Sequence, residues 1–209
     1  METVHTISHP LVRCKLTELR DRSTGPRRFR ELARELAILL GCEVFRDLGV
    51  QETTVDTPLA AARGWKLPAG SVGLVPILRA GLGMLDGLLE ILPDAEVGHI
   101  GIYRDPDSLQ PVEYYCKLPG GVSERLWVVL DPMLATGGSA SEAVRLLRES
   151  GAKNIRLLCL LAAPEGVEAL RQAYPDVAIF TAAVDSHLND HAYIVPGLGD
   201  AGDRLFGTL

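Results

Sequence analysis

Residues 127–140, WVVLDPMLATGGSA, restrict what this chain can fold into more than any other stretch. Four apolar residues run straight into an acid. A short turn then closes on Thr136-Gly137-Gly138-Ser139, and a helical pattern begins. A buried strand, a ligand loop and a helix start are therefore consecutive. Unpaired N–H groups and the helix dipole make a helix N-terminus attractive to anions, and adjacent glycines let backbone approach a phosphate. The carboxylate of Asp131 repels phosphate and is better suited to accept hydrogen bonds from sugar hydroxyls. The stretch asks for a ligand with both a ribose and a phosphate. Ser139 and Glu142 also fit a capping box, so Ser139 caps the helix, touches phosphate, or does both.

The surrounding pattern sets the fold class. Strands are expected at 71–78, 97–103, 126–130, 155–162 and 177–184, and helices at 81–92, 140–149 and 165–174. Near-continuous apolar strands alternating with helices give an α/β fold: a parallel twisted sheet flanked by helices. Before it, helices are expected at 10–21 and 27–45, and a short strand at 51–56. The helix at 27–45 carries an apolar stripe for the core or a subunit interface. Residues 112–117, between Pro111 and Pro119, are polar-aromatic and alternating, which predicts a protruding β-hairpin arm. One domain over 1–209 is expected, with an N-terminal helical segment at about 1–50, a core at about 70–190 and a terminal loop at 193–204.

Composition narrows the function classes. A net charge of −6 argues against broad nucleic-acid affinity. No apolar run reaches the roughly 18 residues of a membrane span, and the N-terminus lacks the basic start and apolar core of a signal peptide. Cys14, Cys42, Cys116 and Cys159 are scattered, without metal-ligand spacing, as expected of small apolar residues in a reducing cytosol. His187 and His191 are four apart, but the segment between them reads as loop and makes no metal site.

Ligands of such sheets bind outside the carboxyl ends of the strands. Besides the opening loop, three stretches lie there. Arg79 follows a buried strand in Pro76-Ile77-Leu78-Arg79-Ala80-Gly81, where its planar fork suits diphosphate oxygens, and Gly81 and Gly83 allow close backbone approach. Arg104 ends the next strand. Near the C-terminus, residues 193–204 form a glycine-rich loop between apolar anchors. Its backbone N–H and C=O groups can match the acceptor–donor–acceptor edge of a flat base.

The opening loop resembles the binding motif for 5-phospho-α-D-ribose 1-diphosphate (PRPP) of type I phosphoribosyltransferases. Most members carry two adjacent acids there. Here Pro132 follows Asp131, and DPMLATGGSA resembles the uracil phosphoribosyltransferase branch. The resemblance spans nearly the whole chain. It implies the type I phosphoribosyltransferase fold and conversion of uracil and PRPP to UMP and diphosphate, a pyrimidine salvage step.

By that resemblance Asp131 binds the ribose hydroxyls, and Pro132, Met133, Leu134, Ala135, Thr136, Gly137, Gly138 and Ser139 wrap the 5′-phosphate. Arg79 and Arg104 meet the diphosphate, and the arm closes over the site about a hinge at 105–111. Tyr193, Ile194, Gly199 and Ala201 contact uracil. Asp200 lies between base and PRPP, holding Mg²⁺ through water or orienting the base. The catalytic set is Arg79, Arg104, Asp131 and Asp200. Mg²⁺ is held mainly by PRPP itself, with no direct protein ligand. The resemblance further implies a cytoplasmic homodimer or larger homo-oligomer, in some members activated by GTP. The alternatives are a phosphoribosyltransferase for another nucleobase and an RNA-binding pyrimidine regulator on the same fold.

Overall fold

A computed structural model describes residues 3–104 and 111–208, with Arg104 described by its backbone alone. In chain order the elements are β1 (Val4–Thr6), α1 (Pro10–Arg20), α2 (Pro26–Val44), β2 (Gln51–Asp56), β3 (Ala61–Lys66), β4 (Val72–Leu78) and α3 (Leu82–Ile91). They continue with β5 (Glu96–Val97), β6 (His99–Arg104), β7 (Pro111–Lys117), β8 (Leu126–Leu130), β9 (Met133–Leu134), α4 (Gly138–Glu149) and β10 (Asn154–Ala162). The last are α5 (Pro164–Ala173), β11 (Ala178–Val184), β12 (His187–Leu188), β13 (Ile194–Val195) and α6 (Ala201–Phe206).

The main sheet runs β1-β11-β10-β8-β4-β6-β7. It is parallel from β1 to β6, and β7 adds an antiparallel edge. Alternate side chains of β8 enter opposite cores. Leu126, Val128 and Leu130 join α1, α2, α3 and α6 on one face. Trp127 and Val129 join α4 and α5 on the other. Both faces are covered, so β8 reads as one apolar run rather than an alternation. Each fully buried large apolar side chain contributes roughly 1.5–3 kcal/mol, and these two layers fix where the strands end.

The adjacent central strands β4 and β8 send their chains opposite ways. After β4, α3 packs on the α1/α2 face and leads to β6; after β8, α4 packs on the other face and leads to β10. This is a topological switch point, where the diverging loops open a crevice. Arg79 and Asp131 are the first residues after these two strands.

Several expectations needed correction. The strand expected at 97–103 is two pieces, β5 and β6, with Gly98 between them. Residues 112–117 are one strand of the arm, and β6 is the other. Because β6 pairs with β4 only at Ile77↔Ile100 and Leu78↔Gly101, the hairpin continues beyond the carboxyl end of β4. Of the hinge expected at 105–111, residues 105–110 lie outside the described residues, and Pro111 opens β7. The strand at 51–56 pairs with β3, which its polar sequence did not announce. The edge strand β1 is three residues long, too short for a periodic signal. Only Cys159 is buried as expected, whereas Cys14, Cys42 and Cys116 are exposed. The stripe on α2 faces the intramolecular core, with Phe29, Leu32, Leu36 and Leu40 fully buried.

Candidate active site

Asp131 leaves the centre of the sheet with its N–H bonded to Leu158 O at 3.2 Å, and its Oδ1 accepts from Met133 N–H at 3.3 Å. The carbonyl of Pro132 accepts from both Leu160 and Leu161 N–H at 3.0 Å, and β9 then pairs with the end of β10. This pins the loop onto β10. Pro132 is buried with its carbonyl already bonded, and it is absent from the lining of the phosphate-sized pocket. Pro132, expected to wrap phosphate, forms the floor beneath the loop. A second carboxylate there would have to be desolvated.

The pocket above holds about 90 Å³ and is lined by Asp131 and residues 133–140. Gly137 is the N-cap of α4, in the left-handed region at φ 82°, and a Cβ would lie 3.0 Å from Gly166 O. The first helical hydrogen bond runs from Ser141 N–H to Gly137 O at 2.8 Å. The preceding N–H groups of Gly138, Ser139 and Ala140 stand ahead of the helix ladder, where an anion is favoured. Ser139 lies inside the first turn, so the capping-box expectation fails. Glu142, its expected partner, instead accepts from Arg145 at 2.6 and 2.9 Å, and that guanidinium holds its carboxyl below the usual range.

A second cavity of about 330 Å³ adjoins the first and shares Met133 and Ala135 with it. Its other walls are residues 191–194 and 199–201. The expected base-contact residues Tyr193, Ile194, Gly199, Asp200 and Ala201 therefore meet in one place. Met133, expected only against phosphate, also lines this second cavity. The segment is more structured than a loop: Ala201 opens α6, and Asp200 caps it by accepting from Asp203 N–H at 2.8 Å. Two features of this region escaped sequence reading. Asn189 Oδ1 accepts from His191 and Tyr193 N–H at 3.0 and 2.9 Å, shaping the lip of the cavity. Arg20, 165 residues from its partner Asp185, gave no sequence signal at all.

Between the cavities the electrostatics are unfavourable to a second negative charge. Burial pushes the Asp131 carboxyl up to about 6. The Met133 N–H opposes this, and the charge of Asp200 adds to it. Arg79 is exposed, lies over the Phe206 ring at 5.6 Å and is 3.9 Å from Asp203. Its loop thus leans on α6, with Ala80 Cβ beside Gly202. Gly81, expected to allow close ligand approach, is required by the sheet itself. A Cβ there would strike Leu130 O and Ile77 backbone, so the glycine is needed to seat the loop on the sheet. The Arg104 side chain lies outside the described residues. Among the described residues no cluster of three His, Cys, Asp or Glu groups forms a metal site, and no helix is long and apolar enough to cross a membrane.

A crevice with a phosphate-sized nest, an acid and a base-sized cavity has known counterparts. The family model for uracil phosphoribosyltransferase matches residues 6–208. The chain belongs to the uracil phosphoribosyltransferase family. Uracil phosphoribosyltransferases of Symbiobacterium thermophilum and Anoxybacillus flavithermus are 60% and 58% identical to it over 208 residues, the full length of each chain. A solved protein of Aquifex aeolicus superposes with a TM-score of 0.93 at 38% identity, covering 97% of each chain. A hypoxanthine phosphoribosyltransferase of Trypanosoma cruzi, at 11% identity and a TM-score of 0.51 over 76% of this chain and 75% of its own, shares the fold. The sheet and flanking helices are therefore those of the type I phosphoribosyltransferases.

Proposed function

We propose that this chain transfers the phosphoribosyl group of PRPP to uracil, giving UMP and diphosphate. The observation that carries the reading is the pair of adjoining cavities with a common wall at Met133 and Ala135. A nucleotide needs a base and a 5′-phosphate on either side of a ribose. The smaller pocket offers helix N–H groups to the phosphate, and Asp131 accepts from the ribose 2′ and 3′ hydroxyls. The larger, at about 330 Å³, is in the size range of small-molecule sites, roughly 300–1,000 Å³. The exposed Arg79 guanidinium is free to swing onto a diphosphate, because its contact with Asp203 is long and solvated. Arg104 and the β6–β7 arm take the roles of diphosphate contact and cover.

The chemistry is displacement at the ribose C1. The uracil N1 forms the new bond as the C1–O bond to diphosphate breaks; the electron pair leaves with that oxygen, and the N1 proton is released to the departing diphosphate or to water. Positioning and charge stabilisation carry the rate. Two neighbouring carboxylates, with no cluster of three metal-binding groups among the described residues, fit Mg²⁺ held mainly by the oxygens of PRPP, with Asp200 reaching it through water. When bound it would neutralise diphosphate charge. Unpaired cysteines support a cytoplasmic location.

We further propose self-association through the β2–β3 hairpin. Among the described residues it pairs with no other strand, and it exposes Leu59 at 97% and Trp65 at 58%. A hairpin alone in water is marginally stable, so a second copy is its natural cover.

Conversion of labelled uracil to UMP, with and without PRPP, Mg²⁺ and GTP, tests the reading. UMP must appear only with PRPP, and omission of Mg²⁺ must abolish it. Turnover of a purine or orotate in place of uracil would overturn the base assignment.

A further inference from the structure

We infer that Arg20, Asp185 and Arg204 are positioning residues for base selection, which clamp the backbone of residues 194–200 onto the N-terminal helices. This rests on the reading of residues 193–201 as the base pocket.

Asp185 is the first residue after β11, where a ligand contact would be expected. Its carboxylate is turned elsewhere and is only 6% exposed. It takes both arms of the Arg20 guanidinium, at 2.7 and 2.5 Å, and accepts from Gly197 N–H at 2.9 Å. Arg20 also donates to Gly197 O at 2.8 Å. Both backbone groups of Gly197 are thus bound to one ion pair. Arg204 supplies the next anchor. Its Nη1 donates to Leu198 O at 2.9 Å and Leu19 O at 2.8 Å, and its Nη2 to Asp21 O at 2.6 Å. The guanidinium lies 4.4 Å over the ring of fully buried Phe29. The last carbonyls of α1 favour a cation here. The third anchor is the Asp200 cap on α6.

Gly197, Leu198 and Asp200 are therefore held in succession, and only Gly199 spans the interval, at φ 81°. A base read by backbone N–H and C=O groups is matched only if those vectors stand within a fraction of an ångström. Side chains cannot readjust to rescue a shifted main chain. Arg20, Asp185 and Arg204 line neither cavity, so their loss acts on the base and spares PRPP.

The test compares Arg20→Gln and Asp185→Asn with Arg156→Gln. Arg156 makes a like set of contacts far from the pocket: both Asp47 oxygens, at 2.7 and 2.8 Å, and the Val44 carbonyl. Each clamp variant is expected to raise the uracil KM about tenfold or more, the scale of a lost charge-assisted contact. The PRPP KM should stay within about twofold, and the ratio of cytosine to uracil turnover should rise. Arg156→Gln should lower the melting temperature comparably and leave both KM values unchanged. Arg20→Lys, which keeps the charge but loses the planar fork, should give an intermediate uracil KM; it carries the test if Arg20→Gln fails to fold. Equal shifts in both KM values, or a uracil KM that follows melting temperature in all variants, would overturn the inference. If wild-type protein binds PRPP but ignores uracil, the pocket reading has failed instead, and the same KM split is measured with the base that it does accept.

Discussion

At the scale of single residues, Asp131 dominates. Its carboxyl titrates at about 6 because burial and the charge of Asp200 penalise the anion. The raised value means that its contribution to stability is fully present below the ordinary carboxylate range, about 4, and is lost as pH rises through about 6. Ribose hydroxyls donating to the carboxylate would relieve that cost, so PRPP use should improve over the same interval in which the unliganded protein loses this stability. PRPP KM is expected to climb as pH falls through about 6. Asp131→Asn should raise the KM at neutral pH and flatten the part of the pH profile not owed to the phosphate itself; an unchanged PRPP KM in this variant would remove the ribose assignment. Gly197 is a second sensitive position. Its φ is +60°, and a Cβ would collide with Ile194 O. Gly197→Ala is expected to cost more than about 1 kcal/mol in denaturant unfolding and to raise the uracil KM with it.

Among the elements, α6 shows how a short helix can be made part of a site. Six residues are too few to hold a helix without help. Its help is the Asp200 cap and the burial of Leu205, fully enclosed against the α2 layer. The cap and the charge of Asp200 can be separated. Asp200→Asn keeps a good capping side chain, so unfolding free energy should hold, while the loss of charge moves the Asp131 titration to lower pH. Asp200→Ala should lose about 1 kcal/mol as well. Equal stability of the two variants would show that the cap contributes nothing. The elements were legible in sequence where apolar periodicity ran long. The strand at 126–130 and the helices on either side of the central sheet stood out because every buried face needs apolar residues. The β3 partner of β2, the edge strand β1 and the true start of α4 did not. The first two are short or polar, and the third depends on Gly137 taking a left-handed conformation that no neighbouring residue announces.

For the whole molecule, the proposed self-association rests on what the fold leaves uncovered. The β2–β3 hairpin carries Leu59 and Trp65 into solvent. Leu59→Ser with Trp65→Ser is expected to shift sedimentation toward the monomer while far-UV circular dichroism stays constant; an unchanged sedimentation coefficient would place the interface elsewhere. By itself the sequence determined the doubly covered parallel sheet and the strand-end placement of Arg79 and Asp131. Both follow from local patterns: runs of apolar residues, glycines and an acid at set intervals. The tertiary structure alone decided three other things. It placed Pro132 beneath the loop of residues 133–137, with its carbonyl already bonded. It brought the charges of Asp131 and Asp200 together, raising the Asp131 carboxyl. It joined Arg20 to Asp185 across 165 residues and turned both toward Gly197. Such pairings are invisible in a linear pattern, because which distant groups meet depends on how the helix layers close over the sheet and on which polar groups that closure leaves in need of a partner.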